Sequence, residues 1–421
     1  MNKTRQLAIA SSLLTSGLFL SGTSFASGFA IIENSASGMG QAFAGVAAVA
    51  EDPSTIYFNP AGMMYLKGTQ VTAGLHIINS NAKFKDKGST VTGGSNGGNS
   101  GDTFFVPNVY YVRDFGEKYK FGLGVNAPFG LGTTYKKDWM GRYASTESEL
   151  KSINFNPSVA FRASDKLAIG LGVNLQYLEA TLKSNIYQAA LGASDGKATI
   201  TGDSWQWGFN AGFIYEFTPA TRLGVHYRSK ISHTLDGSAK FENMHALLGG
   251  DRKVDAYANI DTPSTFSISL THQLTDRLTL LGDITHTKWS NFEFLTVVDD
   301  QNGSIISQVE EKWSDSYRIA LGIKYQLSNQ LILRTGIAHD QTPIDDHYRT
   351  SRIPGDDRDW LSFGASYLLN KNMSIDIAYS HLWVEDAKIN EQYPLLTGAG
   401  ELKGKFDSSV DIFSIQTTWK F

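Results

Sequence analysis

The sequence predicts an all-β protein, a transmembrane antiparallel β-barrel of about fourteen strands with an N-terminal hatch in its lumen. Three observations carry this. Several segments alternate apolar with small or polar residues at a period of two. Tight turns and long polar loops join them in strict alternation. The chain ends on an alternating strand whose last residue is aromatic, behind an export signal.

Taken in order, Lys3 and Arg5 precede a modest apolar run from Leu7 to Leu20 and small residues around Ser24-Phe25-Ala26. Residues 1–26 therefore read as a secretory signal, cut after Ala26 or one residue later after Ser27. The run is too short and too broken by serine to span a bilayer, and no later stretch reaches the roughly 18 apolar residues a helical span needs. A membrane form must then be a closed barrel, since hydrocarbon offers no other partner to backbone polar groups. Loss of Lys3 and Arg5 takes the formal charge from -4 (37 basic, 41 acidic) to -6 (35 basic, 41 acidic). An acidic chain argues against a nucleic-acid partner. The absence of cysteine rules out a disulfide scaffold.

Residues 27–67 lack the strand rhythm and are rich in Gly, Ala and Ser. They also carry Phe29, Ile31, Ile32, Phe43, Ile56, Tyr57 and Phe58, too many apolar groups for a disordered tail. A compact hatch folded into the lumen is the better reading. Asn59-Pro60 would form a rigid turn there, the proline fixing its own φ and restricting the asparagine.

The barrel is expected from residue 68 to Phe421. In 167–177, Leu167, Ile169, Leu171, Val173, Leu175 and Tyr177 alternate with Ala168, Gly170, Gly172, Asn174 and Gln176. The segments 317–325, 361–369, 374–379 and 413–421 behave alike. Their second face is small or polar and includes Arg318 and Lys324, which a wet or plugged lumen tolerates and a dry core does not. Short turns fall at 116–118, 164–166, 218–221, 275–277, 328–330 and 370–372. Long loops fall at 80–103, 128–149, 185–202, 241–256, 293–308, 340–356 and 388–404, with the glycine-rich stretch 93–101 read as a mobile tip.

Ser27-Gly28-Phe29, the run from Ser37 to Gly45 (SGMGQAFAG) and Asn59-Pro60-Ala61 resemble the N-terminal hatch of the FadL family of outer-membrane long-chain fatty-acid transporters. So do Gln206–Gly212, Tyr317–Gly322, Arg334–Ala338 and Ile353–Arg358, in order along the chain. The resemblance implies a fourteen-stranded barrel, a hatch gated around Phe29, Asn59, Pro60 and Ala61, and energy-independent uptake of hydrophobic molecules. Members of the family also carry aromatic hydrocarbons. The basic lumen residues of the fatty-acid carriers align here with Ser184 and Ser314. Lys183, Lys312 and Arg318 become the candidates for an acid head group, with Lys312 sharing a face with Ser314 if that strand is regular.

Two loop clusters are unusually apolar. Phe241, Met244, Leu247 and Leu248 fall at helical spacing, and Ile186 and Leu191 belong to a similar patch. They read either as loops packing on each other or as a surface groove for an acyl chain. Pro107, Pro128 and Pro157 each remove a ladder donor from neighbouring strands, and Gly130 and Gly132 follow Pro128. A lateral opening in the wall is one reading; a loop beginning at Pro128 is the other.

Nine histidines, including His226, His233, His286 and His339, form no recognisable catalytic arrangement, and no metal-ligand or phosphate-binding spacing occurs. No enzyme, cofactor or metal is expected. The expected partners are long-chain fatty acids or other hydrophobic molecules and outer-membrane lipid or lipopolysaccharide, around a monomer. A general diffusion porin is the rival, although it leaves an apolar hatch without a purpose.

Overall fold

A computed structural model describes residues 28–91, 93–392 and 399–421. The expected signal lies outside them, as does part of the last loop. Twenty strand segments form one antiparallel sheet: β1 (Gln70–Asp86), β2 (Thr103–Asp114), β3 (Tyr119–Asn126), β4 (Gly130–Thr134), β5 (Glu147–Ser164), β6 (Leu167–Ile186), β7 (Gly196–Thr218), β8 (Thr221–Arg228), β9 (Ile231–Glu242), β10 (Arg252–Thr262), β11 (Thr265–Gln273), β12 (Leu278–Thr287), β13 (Phe294–Asp299), β14 (Ile305–Glu310), β15 (Ser316–Gln326), β16 (Leu331–Asp340), β17 (Arg358–Asn370), β18 (Met373–Val384), β19 (Ala387–Gln392) and β20 (Glu401–Lys420). Six pairs lie end to end against the same neighbours: β3–β4, β8–β9, β10–β11, β12–β13, β14–β15 and β18–β19. Fourteen strands result, and β20 closes the ring by pairing with β1 along its whole length, Gln70 opposite Lys420 through Asp86 opposite Gly404. Closure leaves the sheet without a terminal edge strand.

The period-two alternation becomes the two faces of the wall. Leu171, Val173, Leu175, Ile319, Leu321, Ile377, Phe413 and Ile415 are each about half exposed on the outside. Their neighbours Asn174, Gln176, Arg318, Ala320, Asp376, Ser414 and Gln416 are buried inside. Exposed apolar side chains over so much of the outer face suit hydrocarbon, not water.

The N-terminal segment fills the lumen with three one-turn helices, α1 (Ala36–Met39), α2 (Val46–Val49) and α3 (Thr55–Phe58), followed by a 3-10 turn, Pro60–Tyr65. Its seat is a set of inward glycines. A Cβ on Gly170 would strike the backbone of Pro60 and Ala61; one on Gly224 would strike Ala47, and one on Gly336 would strike Gln41. At Gly364 it would come within 2.7 Å of the Gly40 Cα. The small lumen residues thus let hatch backbone lie directly on wall backbone.

Some expected details differ. The 93–101 stretch is pinned, not free: Ser100 N–H reaches Ala82 O at 2.9 Å, and Gly97 sits against Tyr135 and Trp139. The apolar loop 241–248 is not one helix, since Phe241 ends β9 and a 3-10 turn covers only Ala246–Leu248. Lys312 and Ser314 fall between β14 and β15, with Lys312 at φ +41°, so they share no regular strand face.

Candidate functional site: the lumen above the hatch

Asn59 anchors the hatch. Its extended backbone (φ -171°, ψ 104°) is what a residue before proline prefers, and Pro60 opens the following 3-10 turn. Its Nδ2 donates to Ala47 O at 2.8 Å and to the wall carbonyls of Phe213 (3.0 Å) and Val225 (3.3 Å), while Oδ1 caps Ala61 N–H at 3.1 Å. One buried amide therefore ties α2, the NPA turn and two strands together. On the periplasmic side Glu51 pairs with Lys324 and, at 2.7 Å, with Arg334. Burial alone would push this carboxyl up, but the two cations prevail and hold it down at about 2. Beyond it lies a polar vestibule of about 610 Å³ lined in part by Lys67, Arg222, Lys324, Arg334 and Asp376.

Toward the extracellular end, a cavity of about 110 Å³ combines two chemistries. Ile31, Ile32, Val46, Phe58, Trp289 and Trp360 supply apolar wall; Arg228, Arg318 and Arg358 supply cations, with Glu33 and Asp340 opposite. Arg358 is paired to Asp340 at 2.7 Å. Arg228 donates to Tyr57 O at 2.9 Å and lies over the Tyr57 ring. Arg318 donates from Nη2 to Ala42 O at 2.6 Å and rests near the rings of Trp360 and Phe43, 5.1 and 5.7 Å from their centroids. Its Nε and Nη1 are buried with no hydrogen-bond partner. A guanidinium desolvated at two nitrogens, beside an apolar wall, is a prepared anion site. Burial is the largest influence on Glu33 and raises its carboxyl to about 7, with Arg358 and Arg318 pulling back only in part.

Of the candidates from sequence, Arg318 lines this cavity, whereas Lys183 and Lys312 do not. Lys183 pairs with Glu147 at 2.8 Å, and Lys312, half exposed, pairs with Glu310 at 2.5 Å. Arg228, Arg358, Glu33, Trp289 and Trp360 were missed; the lumen parity of the two arginines was the available signal. Phe29 packs behind the cavity-lining Trp289 in an aromatic cluster, 4.7 Å from Trp289, 5.7 Å from Trp313 and 5.9 Å from Phe129 between ring centroids.

The loops 187–195 and 243–250 are stitched by Gln188, which donates to Asn243 O at 2.8 Å and accepts from His245 N–H at 2.6 Å. Phe241, Met244 and Ile186 pack beneath them, while Leu191, Leu247 (77%) and Leu248 remain exposed above. The two loops therefore pack on each other and leave three leucines exposed at the surface.

The wall is incomplete beside the cavity. β2 pairs with β1 through Thr103, but with β3 only over Val109–Asp114, so Thr103–Asn108, including Pro107, have no ladder partner on that side. Between Asn126 and Gly130 the third strand spends three residues against two of β5, with Pro128 in the break. Pairing of β5 with β6 lapses at Asn156 and Pro157. The freed edge of the third strand is taken by the hatch: Ile31 N–H donates to Pro128 O at 2.8 Å, and Gly130 N–H donates to Phe29 O at 2.9 Å.

A closed barrel with an apolar exterior, a lumen plugged by its own N-terminal segment and a cavity with an apolar wall above the plug together define an outer-membrane transporter of hydrophobic compounds. A family model described as "Outer membrane protein transport protein (OMPP1/FadL/TodX)" matches residues 17–421, and the chain belongs to that family. It is 32% identical to the 47 kDa outer membrane protein of Pasteurella multocida (strain Pm70) over 398 residues, covering 88% of this chain and 90% of the relative. It is 27% identical over 419 residues to the long-chain fatty acid transport protein of Escherichia coli (strain K12), covering 90% and 93%. The crystal structure of a Pseudomonas aeruginosa FadL homologue superposes with a TM-score of 0.88 at 26% identity, covering 94% of this chain and all of that one. The family consists of transport channels, and the protein is not an enzyme.

Proposed function

We propose that the transported compounds are long-chain fatty acids, which diffuse passively from the extracellular loops through the lumen cavity and leave sideways between the second and third strands. Residues 1–26 act as the export signal, 27–67 as the hatch and 68–421 as the barrel, in a monomer surrounded by outer-membrane lipid and lipopolysaccharide. The exposed Leu191, Leu247 and Leu248 would gather an acyl chain. Phe29 would yield to admit it, with Asn59, Pro60 and Ala61 keeping the rest of the hatch seated.

The observation that carries fatty acid over hydrocarbon is Arg318, whose Nε and Nη1 lack partners in a cavity that is apolar on one side and carries Arg228 and Arg358 on the other. A carboxylate supplies what those donors lack; toluene does not. The hydrocarbon reading draws its support from TodX in the family description. A general porin would need an open aqueous path, which the seated hatch obstructs.

Replacing Arg318 with methionine tests this. Binding of a labelled fatty acid to purified protein should weaken by about 1.5–3 kcal/mol, the worth of a hydrogen bond to a charged group, while toluene uptake by cells survives. Equal loss of both would point to a damaged fold, and an unchanged fatty-acid affinity would remove the assignment.

A further inference from the structure

Above the apolar band, the outer face of β19, β20 and β1 carries an arrangement the transport path does not use. Ala82, Phe84, Ala387, Ile389, Leu402 and Phe406 point inward and are buried. The alternating residues Lys83, Lys85, Lys388, Lys403 and Lys405 therefore point outward. Register sets three of them in one row, with Lys405 directly opposite both Lys388 and Lys85. Like charges facing each other across a ladder are destabilising.

Nearby acids answer only part of this charge. Lys85 meets Asp407 at 2.5 Å, Lys405 meets Asp386, and Lys388, three-quarters exposed, has only Asp346 at 3.9 Å. Among the described residues, Lys83 and Lys403 have no carboxylate in ion-pair range. Glu401 lies one pairing row further from the membrane than Lys403. The outer face of β7, β9 and β10 also sets Lys253 opposite Lys240, but there Lys197 faces Glu242 and the lysines are interleaved with Asp203, Asp236 and Asp255.

Height gives the row its meaning. Trp383, opposite Ser409, is an exposed aromatic of the kind that marks the membrane interface. Lys83, opposite Asp407, is one row above the Asn81–Ser409 pair, roughly 7 Å along the strand, and the three-lysine row is as far again. From there the long lysine side chains can reach back along the wall to the head-group level that the aromatic marks. We propose that this face docks the phosphorylated glycolipid of the outer leaflet, lipopolysaccharide, with Lys85, Lys403 and Lys405 holding its phosphates and the flanking apolar wall receiving its chains. Basic clusters beside a membrane recognise anionic lipid head groups in this way, and each lysine is worth about a fivefold change in affinity. The inference rests on the outer-membrane location and leaves the lumen site untouched.

The test uses full-length protein purified in detergent, whose folding is checked by heat-modifiable mobility. Binding of lipopolysaccharide is measured against the same glycolipid stripped of phosphate, and in the presence of millimolar inorganic phosphate. Wild type should bind the phosphorylated form, weakly at high salt, and free phosphate should not displace it. The triple variant Lys85→Gln, Lys403→Gln, Lys405→Gln should bind on the order of a hundredfold more weakly, with fatty-acid binding unchanged. The variant Lys197→Gln, Lys240→Gln, Lys253→Gln should bind as wild type does. Equal loss in both triple variants, equal affinity for the dephosphorylated form, displacement by free phosphate, or no loss in the first variant would each overturn the proposal.

Discussion

Arg318 and Glu33 face the same cavity from wall and hatch, and their charges are set against each other. Glu33 Oε2 is buried without a partner, consistent with a carboxyl that burial keeps neutral up to about pH 7. Its folded pKa lies above the unfolded value of 4.5, so the sign is that of a destabilising acid. Below 4.5 it contributes nothing, and between 4.5 and 7 stability falls as the unfolded chain ionises first. Above 7 the new carboxylate competes with a ligand's carboxylate for Arg318 and Arg358. Affinity for a fatty-acid anion should therefore drop between pH 6 and pH 8.5 by about 1–2 kcal/mol. Glu33→Gln should flatten that profile without lowering the pH 6 affinity. A variant as pH-sensitive as wild type would mean that Glu33 does not share the site. Neither the pair nor its cavity was legible in the sequence, because Glu33 follows no strand pattern and the alignment directed attention to Lys183 and Lys312. Arg318 alone was signalled, by its lumen-facing parity along β15.

At the scale of elements, the barrel was legible because a strand needs only its own alternation to declare which face meets lipid. The six turns and seven loops set the strand count for the same local reason. What stayed hidden depends on contacts far apart in sequence. Gly170, Gly224 and Gly336 read simply as small lumen residues, yet each is a place where hatch backbone rests on the wall. Strand breaks such as that between β8 and β9 were invisible because the segments on either side keep good alternation. Seating makes a prediction. Gly170→Val forces side-chain atoms into Pro60 and Ala61, which Asn59 holds against α2 and the wall, so the hatch must lift. Planar-bilayer conductance should rise from closed to porin-like, with the barrel still folded by heat-modifiable mobility. At Gly282 a Cβ would meet only the Leu321 side chain at 3.9 Å, and Gly282→Ala should change neither. A Gly170→Val protein that folds and stays closed would show that the seat is not tight.

For the whole molecule the question is which way a substrate leaves the cavity. Straight down, it meets the Asn59 anchor and the Glu51–Lys324–Arg334 cluster, then a vestibule lined with charge. Each methylene entering that water forfeits about 0.8 kcal/mol. Sideways, it meets Ile31, Ile32, Phe104, Val106 and Ala127, which pack together beside the unpaired half of β2. The short bridge of Phe29–Ile31 on Pro128–Gly130 occupies the third strand's edge at the break, and Thr134 N–H is taken by Ser100 O further up. The proposed lateral exit would require breaking the two backbone hydrogen bonds of that bridge and moving Phe29, and it would deliver the chain directly to hydrocarbon. Locking that bridge should close the route. Ala30 and Phe129 are antiparallel partners, and such pairs bring Cα atoms within disulfide range. The chain has no cysteine of its own to interfere. In Ala30→Cys, Phe129→Cys protein, oxidised cells should take up labelled fatty acid many-fold more slowly, and reductant should restore the rate. Purified protein should bind fatty acid comparably in both states, separating exit from capture. If uptake continues with the crosslink shown to be formed, substrate does not pass that edge, and the path must run past the hatch to the periplasm.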